Sequence, residues 1–296
     1  MEEYTDYDSD TDVEDLQARQ GLFWRPEELL FFLIDVEEAH RPLVLDVRWS
    51  HSGPTGRTAY DAGHVPGAVY VDLESELSSP PGEGGRHPLP DSAAFVAAMQ
   101  RAGVRPDRDV VVYDDGPGTI ASRLWWLLRD HGFDRVGILD GGLAEWVRLG
   151  GELSTDPVTP TPGDWTGTPG HLPVVDADGA AAVARDGLLV DVRAAERFRG
   201  ETEPLDPVAG HIPGAVNAPL DGNVDRWGKL GGPAAIRARF EALGDVTGPV
   251  AVYCGSGVTA THTVLALRYA GIDAALYPGS WSGWIADPSR PVATGP

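Results

Sequence analysis

Short apolar, β-branched runs alternate with amphipathic stretches along most of the chain. Val110–Tyr113 and Val250–Tyr253 are apolar throughout, as expected of central parallel strands covered on both faces, and Leu43–Arg48 and Leu188–Arg193 read as apolar strands ending in Asp-Val-Arg. Between them, Ser92–Arg101 is rich in helix formers and stops before Gly103. Ser122–Asp130 and Ala260–Tyr269 follow two of the strands and read as crossover helices, the second beginning near Val258. Strand and helix in alternation predict an α/β fold with a mainly parallel sheet flanked by helices.

The pattern occurs twice. Ala62–Val69 reads A-G-H-V-P-G-A-V and Ala209–Val216 reads A-G-H-I-P-G-A-V. Each follows an apolar run ending in Asp-Val-Arg, at Arg48 and Arg193, and each precedes a strand, V-V-V-Y-D or V-A-V-Y-C. A Gly-plus-Trp turn closes each copy, at Trp146 and Trp284. Four landmarks in constant order mark an internal duplication of a unit of about 130 residues, the size of a whole domain. The expected division is a first domain over 22–150, a linker over 151–173 whose prolines and glycines deny regular structure, and a second domain over 174–296. Residues 1–21 form an acidic tail, expected to be disordered.

Charge narrows the partners. There are 23 basic and 45 acidic residues, a net charge of −22, which argues against nucleic acid and anionic lipid. No apolar stretch reaches the length of a membrane span, and the N-terminus lacks the pattern of a secretory signal. One cysteine excludes an internal disulfide and a thiolate metal cluster, and a reducing, cytoplasmic setting is expected.

That cysteine, Cys254, ends an apolar strand and opens C-G-S-G-V-T-A. A free cysteine is often a small core residue. Here glycines and a following helix N-terminus place backbone N–H groups around the sulfur, which favours thiolate and nucleophilic chemistry. The corresponding residue of the first copy is Asp114, so only one copy can carry a thiolate. The paired His64 and His211 read as turn residues, since the copy without a nucleophile keeps its histidine, and Asp46 and Asp191 as groups that tie down those turns. Trp125, Trp126, Trp146, Trp281 and Trp284 read as packing residues.

The tandem H-[VI]-P-G-A motifs, the duplicated scaffold and the cysteine loop of the second copy together resemble the two-domain (tandem rhodanese) sulfurtransferase family, over about residues 22–290. The resemblance implies two rhodanese-like α/β domains with the active site in the cleft between them. It also implies a sulfur transfer in which Cys254 takes sulfur from a small donor as a persulfide and hands it to cyanide, a small thiol or a thioredoxin-like protein, with no metal or organic cofactor. A C-G-S-G-V-T loop is similar to the 3-mercaptopyruvate branch. The thiosulfate branch carries cationic residues after the cysteine, where Gly255 and Ser256 supply none.

By the same resemblance, Gly255, Ser256, Gly257, Val258 and Thr259 would turn their amides toward the sulfur. Ser256 would act with a histidine and an acid of the first domain, matched by His87 and Glu74, with Asp72 as the alternative acid. Arg197 matches the arginine that grips the donor carboxylate. A second arginine, usual about nine residues on, is missing from E-T-E-P-L-D-P-V-A-G-H, which leaves Arg199 and Arg86 as substitutes. Two rival readings remain. A cysteine phosphatase needs an arginine at the position of Ala260. A non-catalytic sulfur-relay module would keep the fold without turnover.

Overall fold

The structure is a computed structural model that describes residues 22–35, 37 and 40–296; the expectation of a disordered acidic tail lies outside the described residues. The first half runs β1 (Phe23–Trp24), α1 (Pro26–Asp35), β2 (Leu43–Asp46), α2 (Gly56–Ala62), β3 (Val69–Tyr70), α3 (Ser92–Ala102), β4 (Val110–Tyr113), α4 (Ala121–Asp130), β5 (Val136–Leu139) and α5 (Gly142–Arg148). The second runs α6 (Ala177–Asp186), β6 (Leu188–Asp191), α7 (Ala195–Phe198), β7 (Val216–Asn217), a 3-10 turn (Leu220–Asn223), α8 (Pro233–Glu241), β8 (Val250–Tyr253), α9 (Ala260–Tyr269), β9 (Ala275–Leu276) and α10 (Ser280–Trp284).

Two parallel sheets result, ordered β1-β5-β4-β2-β3 and β7-β6-β8-β9. The duplication is visible in register: Leu43 pairs with Val110 and Asp46 with Tyr113, as Leu188 pairs with Val250 and Asp191 with Tyr253. The first sheet's edge strand β1 shrinks in the second to one parallel bridge between Val174 and Leu276. β4 and β8 are buried along their whole length, which explains their unbroken apolar sequence. Sequence signals set the helix ends. Asp91 caps α3 by accepting from the Ala94 N–H at 2.9 Å, and Gly103 closes it in the left-handed region (φ 98°).

The duplicated motifs are scaffolding. Arg48 chelates Asp46 and donates to the Gly63 carbonyl at 2.7 Å; Arg193 chelates Asp191 and donates to the Gly210 carbonyl at 2.6 Å. His64 stacks on Tyr60 and donates through Nδ1 to its carbonyl at 3.0 Å, while His211 stacks on Phe198 in the same way at 2.7 Å. The following glycines, Gly67 and Gly214, have φ of 78° and 85°, a conformation that favours glycine. The hydroxyls of Tyr113 and Tyr253 accept the N–H of Val65 and Ile212. All five tryptophans singled out above are fully or almost fully buried.

Residues 151–172 are not slack. Trp165 is buried against Phe95 and Phe133, Gly163 donates to the Gln100 carbonyl at 2.8 Å, and Leu172 donates its N–H to Asp130 Oδ1 at 3.0 Å. From Pro173 the chain turns to the other sheet, where its carbonyl accepts the Leu276 N–H at 3.0 Å. No helix among the described residues is long and apolar enough to cross a membrane.

Candidate functional site: a cysteine loop closed by the other half of the chain

Cys254 follows the last residue of β8, at the carboxyl end of its sheet, where ligands of parallel sheets bind. It is 3% exposed and lies on a cavity of about 290 Å³ that is lined from both halves of the chain, by His51, Arg86 and Thr119 on one side and Arg197, Ser256 and Thr259 on the other. Its own N–H donates to Ser280 Oγ (3.1 Å), and its carbonyl accepts the Trp281 N–H (2.9 Å). The sulfur accepts one amide, that of Gly257, at 3.2 Å. Gly257 has φ 78°, and a Cβ there would sit 2.2 Å from the Pro278 carbonyl oxygen, so glycine is required. The crossover helix has the bounds read for it, Ala260–Tyr269; Val258, where a helix-like stretch was expected to open, and Thr259 belong to the turn before it. Val258 is buried, while Thr259 lines the cavity. Of the five amides expected to face the sulfur, only that of Gly257 makes a hydrogen bond to it.

Ser256, His87 and Glu74 come together. His87 Nδ1 lies 2.8 Å from Ser256 Oγ, and Nε2 lies 3.2 Å from Glu74 Oε1. An ionised carboxylate only accepts, so Nε2 carries the imidazole proton and Nδ1 accepts the Ser256 hydroxyl. Trp49 donates its indole N–H to the same Glu74 oxygen at 3.1 Å and sets its ring edge-on to His87. Asp72, the alternative acid, is used elsewhere: it accepts the Tyr70 hydroxyl and the Ser75 N–H and hydroxyl. Burial holds His87 below its ordinary value, with Glu74 acting in the opposite direction, so the ring is neutral and able to accept a proton near neutral pH.

Arg197 reaches the cavity but is already paired. Glu203 takes its Nε and Nη2 at 3.1 and 2.7 Å, and Asp206 lies 3.4 Å from Nη2. Asp206 occupies the place where a second arginine was sought. The two substitutes differ: Arg199 is on the surface with Glu201, whereas Arg86 enters the cavity and is held by Asp206. Gly255 and Ser256 bring no cation, yet the site is not without one, because the first half of the chain inserts Arg86 beside Gly255.

Sequence reasoning missed two groups, Arg123 and His262. Arg123, fully buried near the start of α4, donates to the carbonyls of Leu77, His87, Pro88 and Gly257, pinning the cysteine loop to the His87 loop. Burial pushes its guanidinium down to about 10, opposed by the charge of Cys254. His262, in α9, is buried beside the Pro117 carbonyl of the other half. Asp114 turns its carboxylate into its own loop, where it accepts the N–H groups of Gly116, Gly118, Ile120 and Ala121 at 2.8–3.1 Å. The signal for Asp114 was present, as an acid replacing a thiol in a duplicated Gly-rich loop. Nothing local marks Arg123 or His262.

A cysteine sulfur at the carboxyl end of a parallel sheet, the Ser256–His87–Glu74 line and the guanidiniums of Arg86 and Arg197 thus lie together, an arrangement suited to group transfer. The rhodanese-like domain model matches residues 33–149 and 176–287, and the chain belongs to the rhodanese family, as a tandem two-domain sulfurtransferase. A Pseudomonas aeruginosa protein described as "Probable 3-mercaptopyruvate sulfurtransferase" is 48% identical over 86% of this chain and 92% of its own length. The thiosulfate sulfurtransferase of Bos taurus is 35% identical over 85% and 88%. The crystal structure of the Escherichia coli 3-mercaptopyruvate sulfurtransferase superposes with a TM-score of 0.76 at 34% identity, covering 88% of this chain and 98% of that one.

Proposed function

We propose that the chain moves sulfur from 3-mercaptopyruvate to Cys254 and from there to a thiol or cyanide. The observation that carries this reading is the 2.8 Å contact between Ser256 and His87 beside the cysteine loop. A thiol donor must lose its S–H proton as its sulfur is transferred; thiosulfate has no such proton. A neutral His87, oriented by Glu74 and bonded to Ser256, is a proton acceptor suited to the first donor and idle for the second.

The Cys254 thiolate attacks the donor sulfur, forming the S–S bond while the bond between that sulfur and C3 breaks. Its electron pair passes into the pyruvate enolate. The donor's thiol proton goes to Ser256 as the serine hydroxyl proton moves to His87 Nδ1, and the reverse transfer supplies the proton that C3 takes up to give pyruvate. Cys254 is left as a persulfide, and an acceptor thiolate, cyanide or a thioredoxin-like protein removes the outer sulfur. Two easier steps replace one difficult exchange, and ping-pong kinetics follow. Arg197 faces the donor carboxylate. A reducing cytoplasm suits a protein whose one cysteine must stay free.

Thiosulfate is the second reading, supported by the two guanidiniums near Gly255. Comparison of kcat/KM for the two donors separates them. We expect at least a tenfold preference for 3-mercaptopyruvate, and a thiosulfate preference overturns the proposal. Intact-mass measurement after donor exposure should show one added sulfur atom that Cys254→Ser abolishes. A relay module would show that gain without steady-state turnover.

A further inference from the structure

The histidine of W-S-H-S-G-P, between β2 and α2, belongs neither to the scaffold nor to the proton line described above. His51 lines the same cavity as Cys254 and stays open to solvent on its outer side. Its ring packs on Trp49, with centroids 4.3 Å apart at 73°. The same indole stands edge-on to His87 at 5.7 Å and donates to Glu74. The backbone closes around His51: the Ser50 hydroxyl donates to the Ser52 carbonyl, and the Ser52 N–H donates back to Ser50 Oγ at 3.2 Å. The ring is thus held in place, yet neither of its nitrogens makes a hydrogen bond among the described residues. His87 differs, being 5% exposed with both nitrogens engaged, by Ser256 and Glu74. Partial burial, then the charges of Arg86, His87 and Arg197, hold His51 below its ordinary value, with Glu74 opposing them. The ring is therefore neutral near neutral pH, with an acceptor nitrogen to spare.

We propose that His51 is the proton acceptor for the incoming thiol in the second half of the reaction, a catalytic residue separate from the His87 line that serves the donor. The inference rests on the proposed transfer from a Cys254 persulfide to a thiol. The attacking species is the thiolate, and it approaches the outer sulfur from the side opposite Cys254. With S–S bonds of about 2 Å, its sulfur lies about 4 Å farther out than Sγ, toward solvent. Ser256, 7% exposed in the cysteine loop, suits a thiol lying against Cys254 itself; His51 stands on the open side, where the acceptor arrives. The acceptor's S–H proton passes to the free ring nitrogen. Its sulfur bonds to the outer sulfur of the persulfide while the bond from that sulfur to Cys254 breaks, and the electron pair returns to Cys254 as thiolate. The acceptor leaves as a persulfide, and His51 gives its proton to water.

The two halves of the reaction can be timed apart. Cys254 is loaded with 3-mercaptopyruvate, freed of donor and mixed with a thiol, and intact mass follows the loss of one sulfur atom. His51→Gln is expected to slow discharge to 2-mercaptoethanol at least about tenfold at neutral pH, while loading changes less than about threefold. The effect should shrink with the more acidic trifluoroethanethiol and vanish with thioacetate, which is already ionised and has no proton to lose. In the wild type, discharge to 2-mercaptoethanol should be flat with pH above the His51 titration. In His51→Gln it should climb about tenfold per pH unit, following the thiol's own ionisation. Equal slowing with all three thiols, no slowing with 2-mercaptoethanol, or loading slowed as much as discharge overturns the role of His51. A wild-type protein that takes no sulfur from 3-mercaptopyruvate overturns the donor reading instead, and thiosulfate then serves for loading in the same discharge assay, so the two failures are distinct.

Discussion

Asp114 and Cys254 occupy the same position in the two copies, one residue beyond β4 and β8. In the first copy a carboxylate fills the loop and accepts four backbone N–H groups. In the second a sulfur accepts one. The same loop position thus holds a carboxylate cradled by four amides in one copy and a sulfur beside a cavity in the other.

Asp114 should therefore be a stability residue. Asp114→Ala leaves four amides without their acceptor and is expected to cost about 2–4 kcal/mol, read as a lower urea midpoint. Asp114→Asn should be no better, because its NH2 group would face two of those amides. Cys254 should still take up sulfur in folded protein. A near-neutral effect of Asp114→Asn would refute the cradle.

The proton relay sets an order among variants. With 3-mercaptopyruvate, His87→Gln is expected to lower kcat by roughly 10²–10⁴-fold. Ser256→Ala should approach that loss, and Glu74→Gln, which keeps an oxygen acceptor for Nε2, should lose under about tenfold. With thiosulfate all three should sit within a few-fold of wild type.

The pH profile follows from His87. Burial lowers it, so the neutral form persists below the ordinary 6.5, and the acid limb of kcat/KM is expected below that value. Glu74 raises it, so Glu74→Gln should move the limb to still lower pH. A shift upward would contradict the assignment.

Arg123 ties the halves together through carbonyls alone. Arg123→Met takes the guanidinium from the Leu77, His87 and Gly257 carbonyls, while Pro88 keeps the Ser79 N–H, and should destabilise by about 3 kcal/mol. Arg123→Lys, with three donors for four acceptors, should fall between. Thermal denaturation of the three proteins checks the order.

His262 predicts an acid-sensitive interface. Burial takes it from 6.5 to about 4. Between those values the unfolded chain binds a proton that the folded chain does not, so stability falls as pH drops through that window and this loss is complete below it. The contribution is on the order of 3 kcal/mol, at 1.36 kcal/mol per pH unit. His262→Gln, which keeps a donor for Pro117, should flatten the dependence of Tm on pH between about 6.5 and 4.

What could be read from the sequence divides by range. β4 and β8 were legible because burial on both faces leaves an unbroken apolar run. The H-x-P-G-A turns were legible because duplication separates scaffold from chemistry. Cys254, Ser256 and Gly257 were legible because they share one loop. The Arg86–Asp206 and Arg123–Gly257 contacts join residues 120 and 134 positions apart, and no local periodicity encodes them. The loop composition after Cys254 correctly lacked a cation, but the charge near the sulfur is a property of the assembled cleft.

The junction at Leu172 and Pro173 limits how the molecule can move. Leu172 is tethered to Asp130 and the Pro173 carbonyl to Leu276, so the covalent joint is a single peptide link, and proline fixes one of its torsions. If the proposed sulfur transfer ends on a protein acceptor, an opening of the halves about this stiff pivot would lengthen the 2.8 Å His87–Ser256 contact. Donor chemistry and acceptor access would then belong to different poses of one hinge.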